Sequence, residues 1–152
     1  MPLRAIGLAV AALLAATACA AGPTATEPKP GSAGVVSDRH PELLWSLTIP
    51  AHTPPETVLV IPVLEIQGES AAPPEIEVLT TSPDGTVLRL GSMSFFPPRQ
   101  TGNFLFPLPA HVIDAPRNQI LHIRIRLRPG TPQRNRTLSV RVGIPRLQLA
   151  DH

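Results

Sequence analysis

Glu75 and Glu77 stand two residues apart in "EIEVLTTS", a stretch of clean apolar–polar alternation. On an extended strand that spacing puts both carboxylates on one face, about 7 Å apart. Carboxylates at such a separation can serve as acid and base in glycoside hydrolysis. Their surroundings argue against it. Neither is framed by apolar residues that would raise its pKa, and the chain has no Tyr, one Trp and four Phe to line a sugar cleft. Ser92 and Ser94 lie in "GSMS", which is not the G-x-S-x-G turn that exposes a nucleophilic hydroxyl. His40, His52, His111, His122 and His152 are scattered, and none has a second ligand at metal-binding spacing. The chain also lacks a glycine-rich phosphate loop. The expectation is a protein without catalysis, cofactor or metal.

A denser constellation is basic. In "QILHIRIRLR", Leu121, Ile123, Ile125 and Leu127 alternate with His122, Arg124, Arg126 and Arg128. If the last two strands pair as a hairpin, Arg141 joins that row. One reading is structural: arginine stems cover apolar surface, and cross-strand pairs with Glu65, Glu75 and Glu77 contribute roughly 0.2–1 kcal/mol each. The other is a binding face for an acidic partner or lipid headgroups, at about 1 kcal/mol per arginine near an anionic surface. The charge is unevenly placed. From Asp38 to Asp84 eight acids face Arg39 alone, and from Arg89 to Arg146 ten arginines face Asp114 alone. The net charge is only +2, and export and the shortage of stacking aromatics disfavour nucleic acid.

Cys19 is the only cysteine, so no disulfide can form within the chain. It follows Arg4, an apolar run from Ala5 to Ala16 and small residues, the layout of a secretory signal over residues 1–18. The run is shorter than the roughly 20 residues a membrane-spanning helix needs. Ala16-Thr17-Ala18 and Ala18-Cys19-Ala20 both fit ordinary cleavage. Ala16-Thr17-Ala18-Cys19 also resembles a bacterial lipobox, with Ala16 where Leu is usual. The Pro-, Gly- and Ala-rich segment after it lacks apolar periodicity and reads as a flexible tether over residues 19–38. That order favours a lipid on Cys19, with unlipidated secretion as the alternative. The expected location is the cell envelope, periplasmic or at the outer surface.

What remains, residues 39–152, is long enough for one domain with its own core. "LLWSLTI" reads as a first strand, and "TVLVIPVLEI" as a second whose Pro62 suggests an edge or a bulge. "EIEVLTTS" and "TVLRLGSMSFF" form a hairpin about Ser82-Pro83-Asp84-Gly85. "NFLFPL" is a short strand and "AHVIDAPRN" a connection. "QILHIRIRLR" is the clearest strand, and "RTLSVRVGIPRLQLA" the last, with Leu138, Val140, Val142 and Ile144 inward. No stretch has helical periodicity. The expected fold is all-β, a seven-stranded antiparallel β-sandwich or flattened barrel.

Gly91, Ser92, Met93, Ser94, Phe95 and Phe96, with the later Val140, Val142, Gly143, Ile144 and Leu147, resemble the C-terminal β-domain of tyrosinases and polyphenol oxidases. The similarity covers about Thr57 to Leu149, and the Lys-Phe-Asp-Val signature of the plant domains is missing. The resemblance implies a seven-stranded β-fold that shields a copper-site entrance. The copper-binding helical domain is absent from this sequence, so shielding would act in trans on a secreted copper oxidase. Two functions are therefore expected. One is a lipid-anchored, non-catalytic accessory module that binds a secreted protein. The other is a structural envelope protein whose Arg124, Arg126, Arg128 and Arg141 face contacts anionic lipid or polymer.

Overall fold

The computed structural model describes residues 25–29, 31–68, 74–81, 85–95, 100–115, 117–128 and 138–150. Expectations for the signal, Cys19, the turn at Ser82-Pro83-Asp84, Phe96, the turn after Arg128 and His152 lie outside those residues. The described residues form strands β1 (Gly34–Ser37), β2 (Glu42–Ile49), β3 (Thr57–Gln67), β4 (Glu75–Thr81), β5 (Val87–Ser94) and β6 (Gly102–Pro107). A single-turn helix, α1 (Ala110–Ile113), precedes β7 (Gln119–Leu127), β8 (Ser139–Val142) and β9 (Arg146–Leu149). The all-β class is as expected, with nine strands among the described residues rather than seven.

Two antiparallel sheets pack face to face. One has the order β2-β7-β4-β5; the other has β1-β8-β3-β6, with β9 pairing along β3 beyond the end of β8. Strand β7 owes its central place to its period of two. Leu121, Ile123, Ile125 and Leu127 are buried between the sheets, against Leu43, Trp45, Ile76 and Val78 of neighbouring strands. The facing sheet supplies Val36, Leu59, Ile61, Val63, Phe106, Val140 and Val142. Met93 and Phe95, central to the "GSMSFF" resemblance, are fully buried core residues, and Phe95 meets Phe104 edge to face at 5.4 Å.

The last strand is interrupted. Gly143-Ile144-Pro145 separates β8 from β9, and Ile144, expected inward, is exposed. The break lies beside Pro62, whose carbonyl accepts from the Gly143 N–H at 2.8 Å. A strand residue turns its N–H and C=O to the same side, so the N–H that Pro62 lacks would have pointed into this gap. Pro62 therefore sits inside the sheet, between β6 and the β8–β9 junction, without costing a ladder bond. The β3–β8 register also shifts between Val63 and Glu65.

The segment expected as a tether is folded from its described start. Thr26 donates its N–H to the Glu42 carbonyl and accepts from the Leu44 N–H, both at 3.1 Å, in a parallel bridge to β2. Gly34–Ser37 then pairs with β8. Gly34 allows this approach, because a Cβ there would stand 2.7 Å from Leu43 Cδ1 and 2.9 Å from Pro28 Cγ. Composition reads that glycine as flexibility, whereas the fold uses it for close packing.

Candidate functional site

Pairing of β2, β7, β4 and β5 sets their outward side chains in rows. Glu42, Arg126, Glu77 and Ser92 lie side by side across the four strands, and Leu44, Arg124, Leu79 and Arg89 form the adjacent row. This outer face gathers the arginines of β7 and the carboxylates of β4. Arg126 Nε reaches Glu42 Oε1 at 2.5 Å, and Arg128 Nη2 reaches Glu77 Oε1 at 2.5 Å. Arg128 also lies 3.7 Å from Glu75, while Arg89 lies 3.3 Å from Glu75 and 3.5 Å from Glu77.

Glu77 is nearly enclosed by these partners. The Arg128 hydrogen bond holds its carboxyl below the ordinary carboxylate range; burial opposes this, and the charges of Arg128, Arg89 and Arg126 reinforce it. A glycosidase acid needs the opposite shift. Glu75 and Glu77 thus form the centre of an ion-pair network, as the structural reading of the arginine row expects. Three arginines, Arg89, Arg126 and Arg128, meet three glutamates on this face, so most of its charge is answered internally.

Arg124 is the exception. It stands between Leu44 and Leu79, and its buried Nε has no partner. Arg141 does not join the row. Strand β8 belongs to the other sheet, where Arg141 lies 3.9 Å from Glu65. The chain crosses from one sheet to the other between Arg128 and Leu138, so β7 and β8 are not a hairpin. Glu42 and Arg89 complete the network and were not anticipated. Alternation along β2 places Glu42 on the polar face, yet only the pairing with β7 brings it to Arg126.

His40, His52, His111 and His122 are exposed, and His122 Nδ1 lies 3.2 Å from Ser46 Oγ. Among the described residues no three His, Cys, Asp or Glu side chains gather as metal ligands. Ser92 and Ser94 are exposed on β5.

The outer face of the five-stranded sheet has one ion pair among the described residues, Arg141–Glu65. Val60 is fully buried there, flanked in register by Leu105 on β6 and Arg146 on β9. Leu64, Leu105 and Ile144 remain exposed near it, and Val35 is exposed beyond the Glu65–Arg141 pair. Among the described residues no helix is long and apolar enough to cross a membrane. No family model, curated protein or solved structure matches this chain.

Proposed function

We propose that this protein is a lipid-anchored, non-catalytic module of the cell envelope that binds a secreted partner. The observation that carries the binding role is the group of exposed apolar side chains near Pro62 on the outer face of the five-stranded sheet. There Leu64, Leu105 and Ile144 stand in solvent near a buried Val60, whereas the other outer face, which also exposes Val87 and Ile120, is dominated by paired arginines and glutamates. Exposed apolar groups clustered on one sheet are a contact surface more often than a surface accident. The lipobox-like Ala16-Thr17-Ala18-Cys19 supports the anchor, and the resemblance in "GSMSFF" suggests a dicopper oxidase as the partner.

Two measurements test this reading. Fractionation should place the wild-type chain with membranes and Cys19→Ala in the soluble fraction; identical behaviour removes the anchor. A pull-down of a secreted dicopper oxidase should weaken with Leu64→Asp while the circular dichroism stays native; undiminished capture removes the apolar face.

A second reading rests on Arg124, which stands beside the network with its buried Nε unpartnered. As a structural envelope component, the protein would lay that face on anionic lipid or polymer. Binding to phosphatidylglycerol vesicles should then fall with Arg124→Gln, and its salt dependence should shrink. Unchanged vesicle binding discards this reading.

A further inference from the structure

Among the described residues the sandwich has five sheet edges, because β9 pairs with β3 alone, and four of them are covered, charged, bulged or short. The β2 edge is covered by Thr26 through two backbone hydrogen bonds. The β5 edge carries Arg89 and a bulge, where the register with β4 shifts between Val78 and Leu79. The β1 and β9 edges are only four residues long each, and β9 carries Arg146. Bulges, charges, short strands and covering segments are the devices that keep sheet edges from pairing with other chains. Among the described residues strand β6 has no charge, bulge or covering segment, and its one guard is Pro107 at its last position. It runs six residues in unbroken register with β3, and no Asp, Glu, Lys or Arg occurs from Gln100 to Ile113.

The direction of its peptide groups follows from β3. The Glu56 carbonyl accepts from the Ala150 N–H, and the Pro62 carbonyl accepts from the Gly143 N–H. Even-numbered residues from Glu56 to Pro62 therefore turn toward β9 and the β8–β9 junction, and Leu59, Ile61 and Val63 turn toward β6. Their register partners Phe106, Phe104 and Gly102 complete that ladder. Asn103, Leu105 and Pro107 must then turn outward. Pro107 fits this assignment, since its missing N–H falls on the free side, where a strand proline is tolerated. The free edge offers the N–H of Asn103 and Leu105 and the carbonyls of all three residues. The Leu105 side chain beside them is 60% exposed.

We propose that two copies of this chain pair through β6, antiparallel about a two-fold axis at Leu105. In that register each Leu105 N–H donates to the Leu105 carbonyl of the other copy, and each Asn103 N–H donates to the opposite Pro107 carbonyl. The two Leu105 side chains become a cross-strand pair on the apolar outer face. The edge carries no formal charge, so the two copies meet without like-charge repulsion, and the two five-stranded sheets become one continuous sheet. A second copy suits this edge because a two-fold axis matches its donors and acceptors to themselves.

The test is sedimentation equilibrium of the full chain in mild detergent across a concentration series. The wild type should pass from monomer to dimer and stop there. Amide exchange at Asn103 and Leu105 should slow as concentration rises, while Phe104 and Phe106 stay protected throughout. Leu105→Pro deletes an outward donor and leaves the β3 ladder whole, so it should give a folded monomer. Leu105→Lys, which keeps the backbone donor, should raise the dimer dissociation constant about tenfold or more. Val35→Lys, on the same face at the opposite edge, should leave the dimer intact. A wild type that stays monomeric at every concentration overturns the proposal, even if some other protein occupies the edge. So does a dimer indifferent to Leu105→Lys, or one disrupted equally by Val35→Lys.

Discussion

Replacing Thr80 by Val should make the protein more stable, against the usual direction for a core substitution. Thr80 is 1% exposed, points between Ile123 on β7 and Leu88 on β5, and its Oγ1 has no hydrogen-bond partner. A buried hydroxyl without a partner costs about 1–3 kcal/mol. Valine keeps the β-branched shape that suits a strand and exchanges the hydroxyl for a methyl group. The expected gain is about 1–2 kcal/mol, or roughly 2–8 °C in Tm for a chain of this size. Thr53→Val supplies the contrast. Thr53 Oγ1 donates to the Pro50 carbonyl at 2.7 Å, so the same exchange there should lose about 0.5–1.5 kcal/mol. Urea titrations should show the two midpoints moving in opposite directions at unchanged m. If Thr80→Val lost 1 kcal/mol or more, the hydroxyl would have to be satisfied by an enclosed water, and the reasoning would be refuted.

Ile123→Ala should destabilise by about 2–5 kcal/mol in the same titrations, because Ile123 is fully buried and three carbons leave a cavity between Trp45 and Thr80. The Glu77 network should stabilise the fold fully above the unfolded carboxylate pKa of about 4.3 and lose that contribution as pH falls through the lower folded value. Midpoints measured down an acid series should therefore fall less steeply in Glu77→Gln than in the wild type. Gly34→Ala should cost about 1–3 kcal/mol by pushing a methyl into Leu43 and Pro28. Limited proteolysis should then find new cleavage among residues 25–33, with β7 still protected.

Period-two alternation made the faces of β4 and β7 legible. Ile76, Val78, Leu121, Ile123, Ile125 and Leu127 are buried, while Glu75 and Arg128 face outward. Alternation assigns a side chain to a face but says nothing of which sheet the strand joins. For that reason Arg124, Arg126 and Arg128 were grouped correctly, and Arg141 was not. Glu42 was missed because its partner Arg126 is 84 residues away, a distance that only the β2–β7 register closes. Strand β1 was hidden differently. Gly34-Val35-Val36-Ser37 is too short to show a period against its Pro-, Gly- and Ala-rich surroundings, and its place depends on contact with Leu43.

The bridge between Thr26 and β2 fixes a length. If Cys19 bears a lipid, only seven peptide steps separate the anchor from Thr26, the first described residue bonded to a strand, a span of at most about 25 Å. Such a leash is shorter than the domain needs to patrol any depth of the envelope, so the sandwich would ride against the bilayer surface. Thr26 is pinned at the end of β2 where Glu42 meets Arg126. That end would face the headgroups first, and any partner would have to come to the membrane to be met.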